Sequence, residues 1–420
     1  MSTGGSTTAA RDAEAPGAVD DAVPGDLRMS ATLWPLMLAS ALGLVPFTVF
    51  STFLVPISED AGTSVAVMGG LRGLGGLAAL LVGTALAPLL DRVSTTSVAA
   101  GSLLLLAASS LLAAMGELLA LAGFCLLIGA ATAMLTPALM TAAADHYTSQ
   151  QAAGRAATLM TATQSLTAML AAPLISLPAL VWGWRGDLVA VAAIGILLAV
   201  ILVRRGRTSP SAPGGGKSAL GYRASFRALS SISGVFPLLL VAFLRTAAFM
   251  GYLAYLAAFY EQRFALTPTV FAFVWTLSGA SFFVGNLVIG RVVNSGHSRV
   301  APERMLLAGT VAALCAVVGF YFSPGLAVAL VCTSVLGLGH ATVAACVTTL
   351  LVRRCGSLRG SALSLNAAGM SLGVFVGSAA GGVGLALAGF AGMAVVFGVL
   401  TGGAVVASLL LTRRAEVTAA

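Results

Sequence analysis

The stretch LLLVAFLRTAAFMGYLAYLAAF, Leu238–Phe259, runs for 22 residues with one charge, Arg245, near its middle. As a helix rising 1.5 Å per residue it covers about 33 Å, enough to cross a hydrocarbon core of about 30 Å. The whole chain has this texture, because 58% of its 420 residues are hydrophobic and only 9% are charged. A soluble domain carries about a quarter of its residues as charges to cover its surface. The expectation is therefore an all-α, polytopic membrane protein.

Apolar segments of spanning length fall at about 33–55, 65–90, 98–115, 118–143, 156–180 and 187–203, and then at about 235–260, 269–293, 305–322, 326–352, 361–387 and 389–411. That predicts twelve transmembrane helices in two six-helix halves, 33–203 and 235–411. Residues 1–32, rich in Ser, Thr, Gly, Ala and Asp and lacking the basic start and apolar core of a signal peptide, are read as a disordered tail, and 412–420 as a second tail. Residues 204–234, which combine Gly, Pro and Ser with six basic side chains, read as a flexible basic linker. The five cysteines form no CxxC pair and no zinc-like spacing with His, and read as small packing residues.

The halves echo each other at a shift of 203, with Ala87–Ser94 (APLLDRVS) falling over Gly290–His297 (GRVVNSGH). Parallel six-helix repeats around a midplane site are a transporter plan. Neither a phosphate-binding loop, nor a metal cluster, nor a nucleophile constellation is present, and Gly70, Gly73, Gly75 and Gly76 follow no strand. The expected protein is a transporter and not an enzyme, with no cofactor and no metal.

On Asp91-Arg92 after span 2, Gly183-Trp184-Arg185 entering span 6, Gly290-Arg291 after span 8 and RGSALSLNAAGMSLGVFVG from Arg359, the chain resembles the major facilitator superfamily, in its arabinose-efflux-permease-like and drug:proton antiporter-like branch. The resemblance covers about residues 33–411. It implies the major facilitator fold, secondary active transport and proton-linked efflux of a small organic molecule. It also implies that spans 1, 4, 7 and 10 line the central path. In the span 2–3 loop the family's Asp-Arg pair survives as Asp91-Arg92, while both glycines and the trailing basic residues do not. Asp91 and Arg92 are accordingly gating candidates facing the start of span 11, or a plain loop cap. In span 5 the family's glycines before proline are replaced by Ala168 and Ala172 before Pro173.

Arg245 lies about 15 Å into span 7 by helix rise. An ionisable group at that depth must face a partner or an aqueous cavity, yet all 14 acidic residues lie in tails or near span ends. Arg245 therefore meets either water and backbone carbonyls, as a helix pin, or a negatively charged substrate. Phe249, Tyr252 and Tyr255 follow it at helical spacing, His340 stands in span 10, and Phe47, Ser51 and Thr52 in span 1. These are the candidate substrate-binding residues. His340 is also the candidate for proton coupling, since an imidazole titrates nearest neutral pH, and its alternative is a packing role. Arg72 in span 2 and Asn286 in span 8 are further in-membrane polar groups, Arg72 with the alternative of snorkelling outward. Gly369, Gly373, Gly377 and Gly381 repeat every four residues in span 11, a pattern for close helix packing.

The main reading is proton-linked efflux. A second is uptake or exchange of a small organic anion recognised by Arg245, and one from another class is a non-transporting receptor or assembly protein on the same scaffold. Expected partners are a small-molecule substrate, protons and the lipid bilayer, with no nucleic acid, for a monomer in the inner (cytoplasmic) membrane. Eighteen of the twenty Lys and Arg outside the spans fall on the side of the termini, which under the positive-inside rule places both termini and the linker in the cytoplasm. Reporter fusions at Ala420 and within residues 204–234 should both give cytoplasmic signals, and a periplasmic signal from either contradicts this topology.

Overall fold

The computed structural model describes residues 25–85, 93–206, 227, 229, 231–294 and 301–419. Among them are ten helices long and apolar enough to cross a membrane, two of which, Gln151–Arg205 and Arg359–Arg413, are 55 residues each. A straight helix of that length would reach about 80 Å, far beyond the hydrocarbon core. Each one reverses at a glycine: Gly183 at φ 67°, ψ 177°, and Gly389 at φ 59°, ψ −149° after Ala388 at φ −145°. Gly183 occupies a backbone region essentially closed to residues with a Cβ. The two long helices are thus two crossings apiece, and the described residues make twelve.

Span 1 begins at Asp26 and not at residue 33. Residues 26–32, assigned above to the tail, extend the helix by two turns and bury Met29; at the surface Asp26 accepts from Arg155 Nε at 2.9 Å and the Thr32 carbonyl from Arg205 Nη1 at 3.5 Å. At the other end the last helix continues through Ala419. Most of the 204–234 linker, and both Asp91 and Arg92, lie outside the described residues.

Prolines break span 1 into three pieces, Asp26–Leu42, Val45–Thr52 and Leu54–Asp60. Pro46 has no N–H to return to the Leu42 carbonyl and Pro56 none for Thr52, so the helix loosens one turn before each. Span 2 is interrupted at Arg72, between Val65–Leu71 and Gly73–Ala85.

Span 7 (Val235–Phe264) packs along span 11. There a Cβ on Gly377 would collide with the Ala247 carbonyl, one on Gly373 would stand 2.9 Å from the Phe243 carbonyl, and one on Gly381 2.9 Å from the Tyr255 ring. Three of the four periodic glycines therefore seat this contact, while a Cβ on Gly369 meets nothing within 4 Å. The two halves meet along spans 2 and 11 and along spans 5 and 8 in the same manner. A Cβ on Gly73 would lie 2.9 Å from the Phe375 carbonyl, and one on Gly279 2.9 Å from Met169 Cα. Small residues let helices close to van der Waals distance where lipid supplies no hydrophobic drive. Gly377→Ala should then cost about 1–3 kcal/mol, the usual penalty of overpacking against atoms that cannot yield, while Gly369→Ala stays at wild type. Thermal unfolding of the two purified variants checks this, and equal midpoints contradict it.

Candidate functional site

On a helix turning about 100° per residue, Arg245, Phe249 and Tyr252 fall within about 60° of one another, while Tyr255 lies about 80° away from Arg245. The structure follows that division. Arg245 is 5% exposed; its Nη1 donates to the His340 carbonyl at 3.4 Å and its Nη2 to Thr246 Oγ1 at 3.2 Å. Both bonds are long for N–H···O, and Nε has no partner.

One turn further on, the Phe249 ring lies between His340, at 4.5 Å and 28°, and Phe282 of span 8, at 5.7 Å and 14°. His340 is buried and its Nδ1 has no partner. Arg245 and His340 thus bring two unmatched nitrogens into one buried layer between spans 7 and 10. Tyr252 follows, its hydroxyl 2.9 Å from Thr333 Oγ1, with Tyr260 sharing the same Thr333 oxygen at 2.8 Å and Phe320 edge-on to Tyr252 at 4.9 Å. This face of span 7 is packed against spans 8, 9 and 10 of its own half. The expected aromatic wall is real as a cluster but is turned into the half-bundle. Thr333 was not legible in advance, since a lone Thr in an apolar run gives no signal of the tyrosines that share it.

Tyr255 reaches the other half. Its hydroxyl donates to the Ser378 carbonyl at 2.8 Å and lies 3.3 Å from the Ala66 carbonyl of span 2, and its ring lies so close to Gly69 that a Cβ there would overlap it. Arg72 is next to this contact. It does not snorkel outward: it is 9% exposed, its Nη1 donates to the Met250 carbonyl of span 7 at 3.2 Å, and its guanidinium lies over Phe47 at 5.8 Å. Phe47 in turn meets Phe124 at 6.0 Å.

Ser51 and Thr52 precede the second break of span 1, are fully buried, and have hydroxyls with no partner. Pro56 leaves the Thr52 carbonyl without its usual helical donor as well. The structure brings neither residue into hydrogen bonding with Arg245 or His340. The sequence candidates therefore fall into two groups, Arg245, Phe249, Tyr252 and His340 in the second half, and Phe47, Ser51 and Thr52 in the first, with Tyr255 reaching across. Asp91 and Arg92 lie outside the described residues.

Carboxylates stay at the ends of the bundle. The described ion pairs are Arg155–Asp26 at 2.9 Å, Arg185–Asp60 at 3.4 Å and Arg354–Glu303 at 2.8 Å. The buried carboxyl among the described residues, Asp187, takes Trp182 Nε1 at 2.7 Å beside the Gly183 reversal. Neither Arg72 nor Arg245 has a carboxylate partner among the described residues. Among the described residues, the charges buried along spans 2 and 7 are both positive.

The family model described as Major Facilitator Superfamily matches residues 36–358. No curated protein matches the chain. Among solved structures, it is similar to a bacterial homolog of the human lysosomal transporter Spinster in an inward-facing, unoccupied conformation, with TM-score 0.68, 16% identity, and coverage of 93% of this chain and 96% of that one. It is similar also to a mutant of the nucleoside transporter NupG (TM-score 0.74, 17% identity, 91% and 99% covered). A third is the peptide transporter POT in complex with sulfate (TM-score 0.73, 15% identity, 91% and 94% covered). At these identities the likeness is one of fold.

Proposed function

The chain belongs to the Major Facilitator Superfamily, and from that premise we propose that it moves a small organic anion across the cytoplasmic membrane by alternating access, as a monomer with both termini in the cytoplasm. It is a membrane-embedded transporter and not an enzyme. The observation that carries the anionic cargo is the pair of buried arginines, Arg72 and Arg245, with no carboxylate partner among the described residues. A cationic drug would have to approach two guanidiniums with nothing to offset them. For a carboxylate or phosphate the same groups supply charge-assisted, forked hydrogen bonds.

Arg245 offers the cargo an unpaired Nε and two long bonds that a better acceptor displaces. The unpaired hydroxyls of Ser51 and Thr52 offer donors from the opposite half. Cargo reaches Arg245 as spans 7 and 10 part around the Phe249 layer. Because an ammonium cannot reproduce the planar fork, Arg245→Lys should weaken anion binding about 10- to 100-fold, the worth of one charge-assisted hydrogen bond. Thermal shift of wild type and variant with matched carboxylates and carboxamides reads this. Stabilisation of wild type by the amides in preference, with a variant that is merely unstable, makes Arg245 a helix pin and ends the anion reading.

Proton-linked efflux, the direction the family resemblance implies, has one supporting observation: the described spans hold a single imidazole, His340, with an unpaired Nδ1 beside Arg245. His340→Gln should abolish the dependence of flux on a pH gradient and leave counterflow intact. Coupling that survives the change would move the proton site to carboxylates at the span ends.

A further inference from the structure

We propose that Arg72 is the charge that sets how readily the two halves close on each other at the end of the bundle away from the termini, and that it drives that end to reopen. The proposal rests on alternating access, and it does not depend on the identity of the cargo.

Three facts place Arg72 in the closing seam. It lies seven residues from the outer start of span 2 at Val65, about 10 Å by helix rise. Its guanidinium donates across the seam to the Met250 carbonyl at 3.2 Å. Beside it, Tyr255 of the same span 7 reaches the Ala66 carbonyl at 3.3 Å and covers Gly69. From its own half it has the Phe47 ring at 5.8 Å. The cover that makes Arg72 91% buried thus includes two residues of the other half, Met250 and Tyr255. Around it the seam is tight, since a Cβ on Gly76 would stand 2.5 Å from the Ser371 carbonyl and one on Gly382 2.7 Å from the Ala66 carbonyl. Nearer the termini, a Cβ on Gly154, Gly360 or Gly369 meets nothing within 4 Å.

The bond to Met250 invites the reading of a latch, and the balance of terms decides against it. A guanidinium has five N–H donors, and this one has a single hydrogen bond in the seam, to a carbonyl that already belongs to a helix. Dehydrating an ion against so few partners costs more than one neutral acceptor returns, and replacing such a buried charge by a neutral group of similar size is commonly neutral or stabilising. When the halves part here, Met250 and Tyr255 leave and water takes their place around Arg72. The closed far end therefore holds an under-solvated charge that the open far end does not. Tyr255, a neutral donor that loses less on dehydration, is the contact that favours closure.

The sign separates the two readings. With spin labels on cysteines at Thr63 and Thr267, which lie in the loops leading into span 2 and span 8, in an otherwise cysteine-free full-length protein in liposomes, double electron–electron resonance gives the populations of short and long separations across the far end. Arg72→Gln keeps a donor for Met250 and removes the charge, and Arg72→Met removes both. Each should lower the ratio of long to short separations about tenfold, with unfolding midpoints no lower than wild type. Arg72→Lys should stay near wild type, and Tyr255→Phe should raise the ratio. If the Gln and Met variants instead raise the ratio, or if Lys departs from wild type together with them, Arg72 is a latch or a packing residue and the proposal is wrong.

Discussion

A guanidinium placed near the middle of a bilayer costs about 2.5–3.5 kcal/mol on insertion scales unless the protein gives it water or a partner, and this bundle holds one there, Arg245, and a second, Arg72, nearer the outer end. Arg245 is held by a carbonyl and a threonine hydroxyl, Arg72 by a carbonyl and an aromatic face. A carboxylate beside either would have removed the strain, and the described carboxylates remain at the ends of the helices. Two charges left this way, one on span 7 facing span 10 and one in the seam between halves, give the interior a sign. The proposed cargo class and the proposed energetics of closure both rest on it.

The rest of the scaffold is arranged so that these groups are enclosed without being locked. Glycines bring span 11 against span 7 at Gly373 and Gly377, and against span 2 at Gly73 and Gly76, so that backbone lies against backbone at these points. Proline-induced breaks supply loosened helix in span 1. Around Phe249 the contacts are different in kind, a stack of flat rings contributed by spans 7, 8 and 10. Close helix seams and planar stacks are surfaces on which two packed arrangements of one sequence can coexist.

Much of this was legible in the residues alone. Twelve crossings followed from run length, even though two pairs of them are continuous helices reversed at Gly183 and at Ala388–Gly389, and the four-residue glycine period gave the helix seam at three positions out of four. The start of span 1 was set too late because Asp26 and Arg28 lower the local hydropathy, whereas the helix there packs Met29 fully into the bundle. The site was legible only in part. Helical spacing put Arg245, Phe249 and Tyr252 on one face, as found, but grouped Tyr255 with them despite its offset, and periodicity cannot say whether a face looks into a central path or into its own half-bundle. Arg72 was visible as a charge in an apolar run; its partner, the carbonyl of Met250 on another helix, has no sequence signature at all.

The central claim, that the uncompensated arginines select a negative cargo, is tested most directly by flux. Purified protein in proteoliposomes, assayed for counterflow and net transport across a panel of organic anions, neutral sugars and lipophilic cations, with and without a pH gradient, reports cargo charge and coupling together. Saturable transport confined to members of the anion set, with lipophilic cations neither carried nor competing, is the predicted result. Saturable movement of the cations, or of neutral sugars in preference to every anion, would contradict it.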